Sequence, residues 1–174
     1  VLITAPGCVE APPDDQQVRL HGTSGQLSRV TVVLVDLSHS FYARYRERVL
    51  AAMAADIDSA SRSPFGQHAR LVICQLSGNS NAVLWEGEFR DFRKRYGTPQ
   101  SFECWIESQV TGNDKATSPV YRSIADSVRY ALETPGVQAD TAIDVLVHSD
   151  LIDTVPQTQQ KAADISDLLS VLRE

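Results

Sequence analysis

The sequence predicts an α/β fold, a three-layer sandwich in which a mostly parallel central sheet carries one antiparallel strand at its edge. Val30–Val35 are all β-branched or leucine, and such an uncharged run is typical of a strand buried on both faces of a sheet. Predicted strands and helices then follow one another along the chain, which favours parallel strands joined by helical crossovers. One polar turn between two predicted strands supplies the antiparallel pair.

The predicted domain follows a polar leader segment. Residues 1–28 are rich in Pro, Gly, Gln and Asp, which predicts a flexible N-terminal tether ahead of a single domain at residues 29–174. The first strand is predicted at Arg29–Asp36 and the first helix at Phe41–Ala60. The apolar stripe of this helix repeats every fourth residue and consists of Phe41, Tyr45, Val49, Met53 and Ile57.

The middle of the chain predicts a hairpin followed by helices. Ala69–Leu76 and Ala82–Phe89 are predicted strands, and the polar turn between them indicates an antiparallel pair. A short basic run comes next and is expected to be a solvated face; it contains Arg90, Arg93, Lys94 and Arg95. A further helix is predicted at Ser101–Val110, with Phe102, Trp105 and Ile106 pointing inward.

The last part of the chain predicts a helix, a strand and a helix. Ser118 suits the cap of the first of these helices, and Pro119 suits its first turn. Its apolar positions are Val120, Ile124, Val128 and Leu132. The fourth strand is predicted at Ala142–His148 and the last helix at about residues 157–172.

Composition excludes several classes of protein. The hydrophobic fraction of 43% and the charged fraction of 22% are ordinary for a globular domain. The net charge of −6 argues against nonspecific nucleic-acid binding. No apolar run approaches the roughly 20 residues that a membrane-spanning helix needs, so no transmembrane segment is predicted.

The three cysteines do not form a zinc motif or a disulfide scaffold. Cys74 is expected to pack inside as a small hydrophobic residue, and Cys74 and Cys104 are expected to be reduced and apart. Val1–Cys8 resembles the end of a bacterial lipoprotein signal, in which a small residue precedes the cysteine that takes the lipid. Two interpretations stay open: a lipid anchor at Cys8 on a periplasmic or cell-envelope protein, or the ordinary tail of a cytoplasmic one.

Oxygen-bearing side chains gather at the ends of the predicted elements. Asp36, Ser38 and Ser40 follow the first strand, Ser118 precedes a helix, and Asp150 follows the fourth strand. In open α/β sheets ligands bind at the carboxyl ends of the strands, and Mg²⁺ prefers about six oxygen ligands with only one or two carboxylates. The sequence therefore predicts a divalent-cation site. The alternative is that the hydroxyl of Ser38 or Ser40 simply caps the following helix.

These motifs resemble the von Willebrand factor type A domain and its metal-ion-dependent adhesion site. The family's Asp-x-Ser-x-Ser is matched by Asp36-Leu37-Ser38-His39-Ser40, and its Thr-Pro-Leu-Tyr by Ser118-Pro119-Val120-Tyr121. Its Thr-Asp-Gly-x-x-Thr corresponds to Ser149-Asp150-Leu151-Ile152-Asp153-Thr154. The resemblance runs from Arg29 to Thr154 and implies a Rossmann-type sheet. The family sheet continues with two more strands, whereas this sequence ends on a predicted helix at Glu174. Two interpretations stay open: the sheet is curtailed, or this sequence stops before those strands.

The resemblance implies a protein-binding module and no catalysis. A Mg²⁺ ion, or Mn²⁺ or Ca²⁺ in its place, would be held by Asp36, Ser38, Ser40, Ser118 and Asp150. The serines are expected to contact the cation directly, and the two aspartates to act mainly through water. In the family, an acidic side chain from a partner protein fills the open coordination position, which implies a protein partner here.

Two other functions remain as alternatives. Leu151 replaces the family's usual glycine, which favours a scaffold of the same fold without a functional metal site. A metal-dependent hydrolase is the other alternative, because an aspartate also ends the first strand of aspartyl phosphatases. Those enzymes need a second aspartate two residues later, where Ser38 stands. His148, Ser149 and Asp150 are adjacent, and successive strand residues point to opposite faces, so they are not expected to form a catalytic triad.

Overall fold

The structure is a computed structural model that describes residues 25–62, 68–76, 82–110, 119–150 and 158–172. The side chains of residues 39, 40 and 158–160 lie outside this description. Most of the predicted tether, including Cys8, also lies outside it, as do Ser118 and Leu151. The lipid anchor at Cys8 therefore stays a prediction.

The four strands form one mixed sheet. They are β1 (Arg29–Asp36), β2 (Ala69–Leu76), β3 (Ala82–Glu88) and β4 (Ala142–His148). The strand order is β3-β2-β1-β4, with β1 parallel to both β2 and β4 and β3 antiparallel to β2. The prediction of a mostly parallel sheet with β1 inside it and an antiparallel strand at one edge is confirmed.

Five helices lie in the described part of the chain. They are α1 (His39–Ser61), α2 (Phe89–Tyr96), α3 (Pro99–Val110), α4 (Val120–Leu132) and α5 (Thr158–Val171). The sequence did not predict α2, because its basic run was interpreted only as a solvated face. That face is the exposed side of a short helix whose other side buries Phe89 and Phe92. Pro119 precedes α4 as its N-cap residue, one position before the first turn in which it was expected.

Alternate residues of β1 contribute to two different hydrophobic clusters. Val33 and Val35 belong to the aromatic cluster, which we define by its buried rings from α1, β3, α2 and α3: Phe41, Tyr42, Trp85, Phe89, Phe92 and Phe102. Val30, Val32 and Leu34 belong to the aliphatic cluster, whose other buried members are Leu27, Val72, Cys74, Leu76, Val120, Ala125, Val128, Ala131 and Val171. This division follows from the period of two in a strand, which sends successive side chains to opposite faces.

Helix α1 supports the aromatic cluster as the sequence predicts. Its stripe from Phe41 to Ile57 is buried except for Tyr45, which is half-buried and packs against the same cluster. On α3, Phe102 and Ile106 are buried and Trp105 is half-buried, with its ring centroid 5.6 Å from that of Phe92. Rings at this spacing and in edge-to-face orientation attract each other beyond their hydrophobic burial.

Helix α4 buries a different set of residues from its predicted stripe. Leu132 is 44% exposed, whereas Ser123, Ala125, Ser127 and Ala131 are buried. A four-residue step advances about 400° around a helix of 3.6 residues per turn, so a stripe of such steps drifts away from the buried side. Ser127 is accommodated because its hydroxyl donates a hydrogen bond to the carbonyl oxygen of Ser123 at 2.8 Å.

Cys74 and Cys104 are both reduced thiols, as expected. Cys74 is buried on β2, and burial raises the pKa of its thiol to about 12. Cys104 is half-buried on α3. Among the described residues no helix is long and apolar enough to cross a membrane.

Candidate metal site at the carboxyl ends of two parallel strands

Asp36 is the carboxylate around which the candidate site is built. It is the last residue of β1 and is only 2% exposed. Its Oδ1 accepts a hydrogen bond from the backbone N–H of Ser38 at 2.8 Å. An aspartate that binds the backbone two residues later is a common way to turn a chain, and here it leads β1 directly into α1.

Ser38 occupies the N-cap position of α1, but its hydroxyl does not cap the helix. Its carbonyl oxygen accepts the first helical hydrogen bond from the backbone N–H of Tyr42 at 2.9 Å. Its side chain makes no capping hydrogen bond within the described chain. The capping alternative is therefore wrong for Ser38, whose half-buried side chain follows Asp36 by two residues. Ser40 lies in the first turn of α1, with its side chain outside the described residues.

The end of β4 lies beside Asp36. The parallel register pairs Val35 with His148, which brings Ser149 next to Asp36. The hydroxyl of Ser149 donates a long hydrogen bond to Asp36 Oδ2 at 3.4 Å. Asp150 follows immediately and is exposed. The structure thus brings together parts of the first and third predicted motifs, while Ser118 of the second lies outside the described residues.

His148 and Ser149 contact different partners. His148 Nε2 lies 3.3 Å from Oδ2 of Asp56 on α1, in a geometry that does not meet the angular requirements of a hydrogen bond. Burial lowers the pKa of His148 by disfavouring the charged imidazole, and this effect outweighs the attraction of Asp56. The two side chains leave the strand end in different directions, in agreement with the alternation that argued against a triad.

The sequence predicted no role for Ser149 by itself, and it did not predict that Asp56 lies near the carboxyl end of β4. The position of Ser149 in the third motif, directly before Asp150, was the available signal. Its contact with Asp36 depends on the register between β1 and β4, which joins residues 113 positions apart. Asp56 carried no signal, because it is one charged residue on the exposed side of a long amphipathic helix.

The donors at this strand end are oxygens. Asp36 and Asp150 supply carboxylates, and Ser38 and Ser149 supply hydroxyls, a set that suits a hard cation such as Mg²⁺ or Ca²⁺. Within the residues that the structure describes, no group of three or more His, Cys, Asp or Glu side chains is placed to hold a metal ion. The predicted site has only two aspartates, and its other ligands are serine hydroxyls, so it would not form a group of three or more of these side chains.

Comparison with known proteins does not assign a family. No protein-family model matches the chain, and no curated protein matches it significantly. The structure by itself shows an α/β fold whose described strands form a mixed, mostly parallel four-stranded sheet. The resemblance to the von Willebrand factor type A family rests on the three sequence motifs alone.

Proposed function

We propose that this chain is a von Willebrand factor type A-like domain that recruits a partner protein through a divalent cation. The cation would be Mg²⁺, with Mn²⁺ or Ca²⁺ as substitutes, and the partner would present an acidic side chain to it. Three features support this proposal: the interior position of β1, the Asp36-x-Ser38-x-Ser40 sequence at its carboxyl end, and the neighbouring Ser149-Asp150 sequence after β4.

The contact between Ser149 and Asp36 carries the proposal. The two residues are 113 positions apart, and their side chains meet at 3.4 Å because β1 and β4 are parallel neighbours. An adhesion site of this family is assembled from separate loops, so a contact between the first and third motifs is what the proposal requires. A chance Asp-x-Ser-x-Ser sequence with a capping role would not require it.

Each residue has a defined task in the proposed site. The buried carboxylate of Asp36 supplies negative charge, and the Ser38 N–H and Ser149 hydroxyl fix its orientation. The hydroxyls of Ser38, Ser40 and Ser118 would hold the cation, and the exposed Asp150 would add a second carboxylate from the β4 side. The bound cation supplies a positive centre to which the partner's carboxylate binds.

The finer architecture belongs to the same proposal. Helices α1, α2 and α3 contribute to the aromatic cluster and α4 and α5 to the aliphatic cluster, which supports a three-layer, Rossmann-type sandwich. The domain would comprise residues 29–174, with residues 1–28 as a tether. A lipid at Cys8 would place the domain at the cell envelope and leave its metal site free to meet partner proteins.

Calorimetric titration with Mg²⁺ and Mn²⁺ tests the proposed site directly. Asp36→Asn is the most informative variant, because asparagine keeps the buried volume and an acceptor for the Ser38 N–H while removing the charge. Asp140→Asn is the matched control: Asp140 is exposed, lies before the other end of β4, and bonds Gln26. The parent and the control should bind one cation per chain, and Asp36→Asn should bind none.

A second measurement tests whether the bound cation keeps an open coordination position for a partner's carboxylate. Water-proton relaxation by bound Mn²⁺ reports exchanging water on the cation, and added acetate should lower it by replacing that water with a carboxylate. Equal cation binding by the parent and Asp36→Asn would contradict the adhesion-site proposal. No binding by either protein would favour the scaffold alternative.

A further inference from the structure

A groove of about 490 Å³ lies between α1 and the connection from α2 to α3. None of its lining residues belongs to the candidate metal site. One wall is a strip of α1 that includes Leu50, Ala51 and Ala54, and the facing wall carries the rings of Phe92, Tyr96 and Phe102. This volume lies within the range of about 300–1,000 Å³ that is usual for small-molecule sites.

The groove exists because small residues face large ones. Ala51 and Ala54 are exposed on α1, so this strip of the helix leaves open the space that longer side chains would fill. Gly97 permits the tight turn after α2, because a Cβ there would lie 2.2 Å from the carbonyl oxygen of Arg93. Thr98 and Ser101 exchange side-chain and backbone hydrogen bonds of 3.1 and 3.2 Å, which fixes the turn into α3. The groove is therefore formed before any ligand binds.

The aromatic wall is held by its own ring contacts. The ring centroid of Phe92 lies 5.2 Å from that of Tyr96 and 6.1 Å from that of Phe102. Phe92 and Phe102 are buried, whereas Tyr96 is half-buried at the groove. Rings fixed in this way favour a flat apolar ligand, because its face can stack or meet them edge to face.

The charges around the groove leave one carboxylate uncompensated. Of the four charged lining residues, Arg93 pairs with Asp58, and Glu103 pairs with Arg46 from outside the lining. Glu47 is exposed at the groove and has no ion pair among the described residues. A ligand with an apolar body and one positive charge would complement this lining.

We propose that this groove is a binding site for a small aromatic amine. The ring of the ligand would lie between the alanine strip of α1 and the rings of Tyr96 and Phe102, and its ammonium group would point to Glu47. Most of the affinity would come from the apolar part, because an ion pair at an exposed carboxylate contributes little. The groove shares no lining residue with the proposed metal site, so the proposal does not depend on that site.

The test uses 2-(naphthalen-1-yl)ethylammonium as the probe and saturation-transfer NMR on the full chain. The matched neutral alcohol and the matched carboxylate report the preference for charge. Ala54→Phe should fill the groove and abolish binding, whereas Ala55→Phe places the same ring at the neighbouring exposed position, which does not line the groove. Glu47→Gln should weaken the ammonium probe about two- to fivefold and leave the neutral alcohol unchanged.

The outcomes decide the proposal. Saturable binding of the ammonium probe that is lost in Ala54→Phe, kept in Ala55→Phe and weakened by Glu47→Gln supports it. No saturable binding at millimolar probe, equal binding to Ala54→Phe, or tighter binding of the carboxylate analogue overturns it. Circular dichroism checks that the variants fold. If Ala54→Phe does not fold, Ala51→Phe takes its place, with the same expectation.

Discussion

The aromatic and aliphatic clusters share the same sheet but pack it with different side chains. The aromatic cluster fills its space with rings from α1, α2 and α3, whereas the described members of the aliphatic cluster include no ring and lie beside buried serines of α4. Small residues allow a helix to approach a sheet closely, and more backbone positions of α4 than of α1 come near β1 and β4. On the aromatic side, a groove remains along α1 where alanines of this helix face larger side chains of α2 and α3.

The largest difference between the clusters should appear when a side chain is truncated. Phe92→Ala removes a buried ring that contacts four other aromatic rings, and we expect a loss of about 3–5 kcal/mol in the free energy of unfolding. Val120→Ala removes two methyl groups from the aliphatic cluster and should cost about 2 kcal/mol. Urea unfolding of both variants measures these losses, and equal losses would contradict the distinction.

The backbone of Gly136 supports the aliphatic cluster. Gly136 has φ of +94°, and a Cβ there would lie 2.6 Å from the carbonyl oxygen of Gly25. Its own carbonyl oxygen accepts the N–H of Leu27, a member of the aliphatic cluster, at 2.7 Å. Gly136→Ala should destabilise the protein by about 1–3 kcal/mol. Gly25→Ala is the control and should leave thermal unfolding nearly unchanged, because no atom of the described residues, apart from its chain neighbours, lies within 4 Å of its added Cβ.

Replacing each of two buried threonines by valine should change the stability of the protein in opposite directions. The hydroxyl of Thr31 is fully buried on the aromatic side of β1 and has no hydrogen-bond partner in the described structure. Thr31→Val removes that unpaired group and should stabilise the protein by about 1 kcal/mol. Thr134 follows α4, and its hydroxyl donates to the carbonyl oxygen of Tyr130 at 3.0 Å, so Thr134→Val should destabilise by about 1 kcal/mol. A loss of stability in both variants would show that Thr31 has a partner.

The smallest predicted effect is a pH dependence of the free energy of unfolding. It comes from the buried imidazole of His148, which lies against α1. Burial lowers the pKa of His148 in the folded protein, whereas the unfolded chain keeps the usual value of about 6.5. The stabilisation from neutral His148 is therefore complete above that value and is lost as the pH falls below it. Urea unfolding at pH 7.5 and 5.5, without divalent cations, should show less pH dependence in His148→Gln than in the parent. His68→Gln, at an exposed histidine, should not show this change.

The fold was largely predictable because its strands are continuous apolar runs and its longest helix has a long apolar stripe. Helix α2 was missed because five of its eight residues are charged and only Phe89 and Phe92 are buried. The α4 stripe was partly wrong because alanines and serines, which carry little periodic signal, form its buried side. Helix α5 buries Val171 and Asp164, whereas Leu169 on the same helix and Leu172 just after it are exposed.

The candidate site was predictable only as far as its local sequence. Asp36 and Ser38 occupy the strand end and the helix cap that their motif indicates. The meeting of Asp36 with Ser149 depends on strand register, and the position of Asp56 against His148 depends on how α1 packs. Neither contact can be predicted from the spacing of residues along the sequence. The groove was also unpredictable, because it arises from alanines on α1 facing a turn about forty residues later.

The interior position of β1 has a consequence for the time course of folding. During synthesis β1 emerges before its neighbour β4, which follows more than a hundred residues later, as the separation of 113 positions between Asp36 and Ser149 indicates. At about 5–20 residues per second, the ribosome needs roughly 6–23 s to make that intervening chain. During this interval the edge of β1 that pairs with β4 has no strand partner, and an unpaired strand edge is prone to aggregation. The contact between Asp36 and Ser149 therefore cannot form until β4 has been synthesised.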